Sequence, residues 1–257
     1  MPSQPLVLAH EVHAPRHAET VVLLHSLALD RRVWRPLVGA LAESHTVVVV
    51  DLRGHGESAD DVDFTVEDMA DDVARTMAEL GRDRAAVVGM SMGGSVAQAV
   101  AIRHPDRVRV LGLIDTTAWY GPDAVSAWAE RAGKARATGL RSLADFQLTR
   151  WFSDDFRAAN GELCRELLDV FAANDTDSYA SACRALGAMD LRDGIAAVTV
   201  PTMILVGEED PATPPAHADD LHARIRGSVR YVLPGARHLT PVEQPDVVLQ
   251  HLKVLLG

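Results

Sequence analysis

A serine enclosed by glycines is the residue of this chain best suited to act as a nucleophile. Ser91 lies in the stretch GMSMG at positions 89–93, after the apolar run AAVV and before the helix-compatible run SVAQAVA. In G-x-S-x-G at a sharp turn from strand to helix the serine hydroxyl is exposed, and the glycines prevent collisions with the neighbouring strand and helix. The pattern therefore predicts that Ser91 attacks a carbonyl carbon. The competing interpretation is a Gly-Ser-Gly loop that binds phosphate or no ligand.

A serine hydroxyl becomes a strong nucleophile only when a base removes its proton and a carboxylate orients that base. Among the eleven histidines of the chain, His238 is the candidate base. It lies in the turn PGARH, just after a predicted strand and near the C-terminus, from where it could reach over the sheet edge to Ser91. The alternative is a histidine on a surface loop.

The candidate acid is Asp210, in the stretch GEEDP just past another predicted strand. Glu208 and Glu209 are close alternatives. Asp115, at the end of a further predicted strand, could also approach His238. A solvated turn carboxylate is the remaining interpretation of Asp210.

Acyl transfer also needs two backbone N–H groups that hold the negative charge of the oxyanion. The residue after the nucleophile, Met92, is predicted to supply one of them. The loop after an early strand, HSLA at positions 25–28, is predicted to supply the other, with Leu27 as the donor. Ser26 stands where a glycine is usual, and it either adds a polar contact to the substrate or tolerates an ordinary backbone angle.

The elements that must position these residues alternate between strands and helices. The predicted strands are continuous apolar runs, which are typical of a parallel sheet covered by helices on both faces. Strand–helix alternation at this spacing predicts an α/β fold with a mostly parallel, doubly wound sheet. The predicted strands are 20–25, 45–51, 85–88, 107–115, 199–207 and 228–235, and the predicted helices are 34–43, 66–80, 95–101 and 247–256.

The middle of the chain contains no predicted strand. It is expected to form four helices, at 123–137, 140–152, 154–173 and 177–188. The predicted organisation is a core of residues 1–117 and 198–257 with an all-helical cap of residues 118–197. Because loops at the carboxyl ends of parallel strands form the ligand crevice, the cap is expected to lie over Ser91 and to shape the substrate pocket.

Composition limits the classes of partner. The 257 residues suffice for one large α/β domain with an insertion, and the net charge of −11 argues against nucleic acid and anionic membranes as partners. Cys164 and Cys183 lie in helix-like stretches without metal-ligand spacing, and are expected to be free thiols in a reducing compartment rather than a disulfide. The first 17 residues lack the features of a signal peptide, and no apolar run reaches the length of a membrane span. A cytoplasmic location is predicted.

Other histidines have plainer interpretations. His10, His13 and His17 lie near a predicted edge strand without a carboxylate pattern, so solvated surface positions are favoured over a metal site. His55, in the glycine-rich stretch RGHGES, has no P-loop lysine beside it and is expected to brace the fold. No metal and no cofactor are predicted.

Several stretches together resemble the α/β-hydrolase superfamily over nearly the whole chain. They are LLHSLALD, VVVVDLRGHGES, VVGMSMGGSVA, PTMILVGEEDPATPP and PGARHLTPVEQP. The order Ser91, Asp210, His238 is the order of serine, acid and histidine in that superfamily. The resemblance implies the α/β-hydrolase fold with this triad as its catalytic residues.

More narrowly, the chain resembles the 3-oxoadipate enol-lactonases of the β-ketoadipate pathway. The segments RWFSDDF at 150–156 and YASACRAL at 179–186, followed by DLR at 190–192, resemble the cap signature of that family. The family's early loop reads Asn-Ser-Leu-Gly, so the chain departs from it at His25 and Ala28. The resemblance implies hydrolysis of a small, carboxylate-bearing enol-lactone in aromatic catabolism, with no cofactor or metal.

An anionic substrate that enters an acidic protein needs a local cation. Arg150, beside Trp151 in the predicted cap, is a candidate for a bidentate contact with a substrate carboxylate. The alternative is that Arg150 is a solvated charge and Trp151 belongs to the cap core.

Three alternative functions stay open from the sequence. One is a general carboxylesterase, the second is a C–C bond hydrolase of aromatic catabolism, and the third is a hydrolase-like receptor with little turnover. Perhydrolase activity is compatible with each of them. The expected partner is a small-molecule substrate, and a homo-oligomer is left open.

Overall fold

Seven strands form a single sheet in the computed structural model, which describes residues 4–58 and 63–257. The first three residues of the N-terminal stretch, and residues 59–62 of the predicted core, lie outside these ranges. The strands are β1 (His10–His13), β2 (Thr20–Leu24), β3 (Thr46–Val50), β4 (Ala85–Met90), β5 (Val108–Ile114), β6 (Thr202–Gly207) and β7 (Val229–Leu233).

The strand order is β1-β3-β2-β4-β5-β6-β7. Only β1 is antiparallel to its neighbour, with His10 opposite Val50; the other pairs are parallel. β2 and β3 are buried at every position, because helices cover both faces and β-branched valines pack well on a pleated surface. The α/β fold with a mostly parallel sheet, predicted from the alternation, is confirmed.

Helices on the two faces of the sheet come from both ends of the chain. Thr65 caps the N-terminus of α2 (Val66–Glu79): its side chain accepts a hydrogen bond from the Asp68 N–H, while the Asp68 carboxylate accepts one from the Thr65 N–H. The sequence analysis did not assign α10 or the short α11. The helices outside the cap are α1 (Arg35–Leu41), α2 (Val66–Glu79), α3 (Met92–Arg103), α10 (Pro215–Arg224), α11 (Thr240–Glu243) and α12 (Pro245–Leu256).

The segment between β5 and β6 is helical. Its helices are α4 (Ala124–Thr138), α5 (Ala144–Trp151), α6 (Asp154–Ala159), α7 (Gly161–Ala173), α8 (Thr176–Ala188) and α9 (Arg192–Ile195). The helix predicted over 154–173 is interrupted, because the Asn160 side chain donates to the Phe156 carbonyl and ends α6 before Gly161 starts α7. The helix predicted over 140–152 begins as a 3₁₀ turn, Leu140–Leu143.

The cap helices are tied to the loop that follows β7. The Leu239 N–H donates to the Trp151 carbonyl at 3.2 Å, and Arg237 Nη1 donates to the Phe152 carbonyl at 3.0 Å. The Ser153 N–H donates to the Glu243 carboxylate at 2.8 Å. These bonds hold the end of α5 against the segment that carries His238.

In the described part of the chain, no helix combines the length and apolar character needed to cross a membrane.

Candidate active site

Ser91 stands alone between the end of β4 and the start of α3. Its φ of 55° and ψ of −119° lie in a region that non-glycine residues rarely adopt, a strain that costs about 1–3 kcal/mol and is typical of functional turns. The turn is tight on both sides. A Cβ on Gly93 would lie 2.2 Å from the Leu24 carbonyl oxygen, and one on Gly89 would lie 2.0 Å from the Gly93 carbonyl oxygen. Only glycine fits at both positions.

His238 joins Ser91 to Asp210. Its Nε2 lies 2.8 Å from Ser91 Oγ, and its Nδ1 lies 2.7 Å from Asp210 Oδ2. All three side chains are buried, with exposures of 6%, 5% and 3% for Ser91, His238 and Asp210. With Nδ1 protonated and donating to the carboxylate, Nε2 is free to accept the serine proton. The structure therefore brings together the three residues predicted as the triad.

Asp210 is held as a carboxylate by its local loop. Oδ1 accepts hydrogen bonds from the N–H groups of Ala212 and Thr213, and Oδ2 accepts one from the Thr213 hydroxyl at 2.8 Å. Burial alone would raise the pKa of Asp210, but the His238 imidazole and these N–H donors lower it below its usual value. Asp210 is thus ionised at neutral pH and can stabilise a protonated His238.

Asp115, the principal alternative acid, faces other partners. Its Oδ1 accepts from the Gly207 N–H at 3.1 Å, and its Oδ2 accepts from the Thr240 N–H and hydroxyl at 2.9 and 2.8 Å. Burial and then the charge of Asp210 raise its pKa. Gly207 precedes Asp210 by three residues, and Thr240 follows His238 by two. Asp115 therefore links the loops that carry the acid and the base.

Glu208 and Glu209 also lie away from the histidine ring. The Glu208 carboxylate accepts from the Gly235 N–H at 3.3 Å, and the Glu209 carboxylate lies 3.7 Å from Arg237 Nε. Both residues are exposed. Neither competes with Asp210 for the contact with His238.

One of the two predicted oxyanion donors directly follows the nucleophile in the chain, and the other lines the same cavity. Met92 is the first residue of α3, where N–H groups have no partner within the helix and the helix dipole favours negative charge. Leu27 and Ser26 line the same cavity as Ser91. A carbonyl oxygen bound in front of Ser91 would therefore be close to both positions.

The cavity at Ser91 is narrow and opens outward. Its volume is about 40 Å³, and it shares five lining residues with a cleft of about 450 Å³ between α4 and α5. A larger cleft of about 670 Å³ lies elsewhere, lined by ion-paired residues such as Arg31 and Asp51, and contains no member of the triad. The cavity at Ser91 is lined by Ser26, Leu27, Ser91, Tyr120, Trp128, Arg131, Gln147, Arg150, Trp151, Ala212 and His238.

Two guanidinium groups line this cavity. Arg150 lies over the Phe146 ring, 5.2 Å from its centroid, and burial followed by the charge of Arg131 lowers its pKa. Arg131 Nε donates to the Tyr179 hydroxyl at 2.6 Å, and its guanidinium lies 5.0 Å from the Trp128 ring centroid.

Neither Arg131 nor Arg150 forms an ion pair with a carboxylate among residues 4–58 and 63–257. The sequence analysis missed Arg131. The available signal was its spacing of three residues from Trp128 on a predicted helix, which places both side chains on one face.

Trp151 lies in the core of the cap and also faces the cavity at Ser91. It is only 3% exposed and packs edge-on against Phe171, with ring centroids 5.8 Å apart. It also contributes to the cavity wall. Trp151 therefore joins the cap core to the substrate side of the cap.

The remaining polar candidates are structural or peripheral. His10 and His13 lie on β1, where His13 is 3.5 Å from Glu11. His55 is buried, and its Nδ1 bonds the Arg53 carbonyl at 2.9 Å, in agreement with a bracing position. Cys164 and Cys183 are free and buried. The described ranges contain no group of three or more His, Cys, Asp or Glu side chains arranged to hold a metal ion.

Known proteins share both the sequence pattern and this architecture. The model of the alpha/beta hydrolase family matches residues 21–251. The chain is 32% identical to 3-oxoadipate enol-lactonase 1 of Acinetobacter baylyi, over 95% of this chain and 90% of that protein. The crystal structure of the enol-lactonase from Burkholderia xenovorans LB400 superposes with a TM-score of 0.92 at 35% identity, covering 97% of this chain and 96% of the other. A malate-bound thermophilic esterase from Thermogutta terrifontis gives a TM-score of 0.90 at 32% identity, covering 97% and 92%.

Proposed function

The chain belongs to the alpha/beta hydrolase family, and we propose that it hydrolyses a small, carboxylate-bearing enol-lactone through an acyl-enzyme on Ser91. The observation that carries the proposal is a hydrogen-bonded Ser91–His238–Asp210 chain beside two arginines that have no carboxylate partner within the described residues. The triad supports acyl transfer, and the arginines support an anionic substrate.

In the first step, Ser91 Oγ attacks the lactone carbonyl carbon while its proton passes to His238 Nε2. The N–H groups of Leu27 and Met92 hold the oxyanion that forms. The ring C–O bond then breaks, and the enol oxygen takes the proton from His238. The released enol tautomerises to a ketone, which makes ring opening effectively irreversible.

In the second step, water releases the acyl group. His238 removes a proton from the water as it attacks the acyl carbon, and Ser91 leaves with the proton that His238 returns. The ionised Asp210 stabilises the imidazolium in both steps. The product is a carboxylic acid, and none of these proposed steps uses a cofactor.

The substrate carboxylate would bind between Arg131 and Arg150. A protein of net charge −11 repels an anion at long range, so a local cationic site is needed near Ser91. Partly buried guanidinium groups without a carboxylate partner are costly, and a bound carboxylate would supply the missing charged acceptor. The relatives agree with this chemistry, since two are enol-lactonases and the Thermogutta esterase holds malate, a dicarboxylate.

The test is a substrate panel on the purified protein. We expect kcat/KM for 3-oxoadipate enol-lactone to exceed that for a neutral lactone of similar size by at least about tenfold, the value of one charge-assisted hydrogen bond. Vinylogous diketones, which test C–C bond hydrolysis, should be turned over poorly. Equal kcat/KM for the charged and neutral lactones would contradict the proposal.

A general carboxylesterase is the second candidate. It is favoured by the 32% identity to the Thermogutta esterase and by the open cleft, where Phe146 is 53% exposed. A preference for neutral aryl esters over every carboxylate-bearing lactone in the panel would select it.

A cytoplasmic location remains our prediction, and the two free thiols support it.

A further inference from the structure

The loop that carries Leu27 is held by His25, a residue outside the triad. The His25 side chain is fully buried, and both ring nitrogens have backbone partners. The Leu52 N–H donates to Nε2 at 2.9 Å, so Nε2 carries no proton. Nδ1 therefore carries the proton of the neutral ring and donates it to the Ser26 carbonyl oxygen at 2.8 Å.

The Ser26 carbonyl and the Leu27 N–H belong to the same peptide group. In a planar trans peptide the N–H points away from the carbonyl oxygen, and no cis peptide occurs in the described ranges. A donor that fixes the Ser26 oxygen therefore fixes the direction of the Leu27 N–H. Both residues line the cavity in front of Ser91.

The loop needs this restraint because its backbone is strained. Ala28 has a φ of 58°, a left-handed conformation that is unfavourable for residues with a Cβ. Asn174 Nδ2, at the end of α7, holds the Ala28 carbonyl at 2.8 Å. The Ser26 carbonyl accepts a further bond from the Leu29 N–H, at a longer 3.2 Å. Without His25, the Ser26 carbonyl would keep only that longer bond among the hydrogen bonds of the described residues, so the Ser26–Leu27 peptide would be less restrained.

We propose that His25 is a positioning residue for the oxyanion hole: its Nδ1–H fixes the Ser26–Leu27 peptide so that the Leu27 N–H faces the developing oxyanion. The inference rests on the proposed acyl-enzyme function. Burial lowers the pKa of His25, which keeps the ring neutral with one donor and one acceptor. A preorganised donor acts chiefly on the transition state, so the effect should fall on kcat rather than KM.

The test compares His25→Asn with His25→Leu, two substitutions of nearly equal size. The Asn amide nitrogen can take the place of Nδ1 and donate to the Ser26 carbonyl, whereas Leu cannot. Both variants remove the ring nitrogen that accepts from Leu52, so that loss cancels in the comparison. With 4-nitrophenyl acetate, His25→Leu is expected to have a kcat about 10–100-fold below that of His25→Asn, with KM changed less than about threefold, since complete removal of an oxyanion donor costs about 10²–10³.

A second readout uses phenylboronic acid, which forms a negatively charged tetrahedral adduct on an active-site serine. Its inhibition constant should rise in His25→Leu by a factor similar to the loss of kcat. His55→Asn and His55→Leu are the matched controls, because His55 is also buried and bonds a backbone carbonyl, that of Arg53. The two His55 variants should not differ from each other in kcat.

Equal kcat and equal boronate inhibition in the two His25 variants would overturn the inference while leaving the serine hydrolase intact. A wild-type protein that hydrolyses no ester or lactone would overturn the proposed function and this inference with it. If His25→Leu does not fold, a crystal structure of the wild-type boronate adduct decides. We expect a boronate oxygen within hydrogen-bond distance of the Leu27 N–H, with the His25–Ser26 bond retained, and a rotated peptide would refute the role.

Discussion

His238 Nε2 lies 2.8 Å from Ser91 Oγ, although 147 residues separate the two along the chain. The contact is made at the carboxyl ends of β4 and β7, which lie three strands apart in the sheet. The loop after β7 must therefore extend across the sheet, and Asp115 and the end of α5 hold it there. Because each group in this arrangement comes from a different part of the chain, single substitutions can test its contribution to the chemistry of Ser91.

Replacing Ser91 by alanine should reduce kcat by about 10⁶ if the three residues act as a unit. The loss follows because alanine has no hydroxyl that could give its proton to His238 and attack the substrate carbon. Steady-state hydrolysis of an aryl acetate measures it. Ser95→Ala is the control, since Ser95 is also buried on α3 but bonds the Thr117 carbonyl. Most of the activity remaining in Ser91→Ala would refute the assignment.

Asp210→Asn and Asp115→Asn should separate the two buried acids. Asp210→Asn should lower kcat by about 10⁴, because the amide cannot orient and stabilise the protonated imidazole. Asp115→Asn should chiefly lower the free energy of unfolding, by about 1–3 kcal/mol, because the amide NH₂ faces N–H donors. Urea unfolding and kcat are measured on both variants. A larger loss of kcat in Asp115→Asn would reverse their roles.

Arg131→Met and Arg150→Met should raise KM for a carboxylate-bearing lactone about 10–100-fold each, since charge-assisted hydrogen bonds contribute about 1.5–3 kcal/mol. KM for a neutral ester should change less than threefold. Arg136→Met provides the matched control, because Arg136 lies on α4 with Arg131 but pairs with Asp177 at the surface. An equal effect on charged and neutral substrates would indicate packing rather than carboxylate binding.

The stability of the protein should depend on pH through Asp210. Its pKa in the folded protein is lower than in the unfolded chain, so the stabilisation is complete above the unfolded value of about 3.9 and is lost as pH falls through the folded value. The difference in unfolding free energy between wild type and Asp210→Asn should therefore be constant from pH 7 to pH 5 and shrink below about pH 4. Urea denaturation over this range measures it, with Asp169→Asn as an exposed control. A difference that grows as pH falls would contradict the lowered pKa.

The strands, the turn at Ser91 and the helical segment could be predicted from the sequence, because each depends on residues close together in the chain. Runs such as TVVLL and TVVVV are apolar after the first threonine, and such runs are typical of strands covered on both faces, as in a parallel sheet. The turn at Ser91 follows from Gly89 and Gly93, since a Cβ at either position collides with backbone. The residue pattern between β5 and β6 also predicts helices, because helical periodicity depends on residues three and four positions apart. The break at Asn160 could not be predicted from this pattern.

Only the tertiary structure decided which distant groups face each other. Asp115 and Asp210 both follow buried strands, and their local sequences do not show which one points at His238; the register of the loops does. The sequence around Arg131 predicts an ordinary charge on a helix face, and only the placement of α4 in the structure brings its guanidinium to the cavity of Ser91. The physical reason is that hydrophobic periodicity reports how deeply each residue is buried, whereas catalytic contacts depend on the relative placement of elements far apart in the chain.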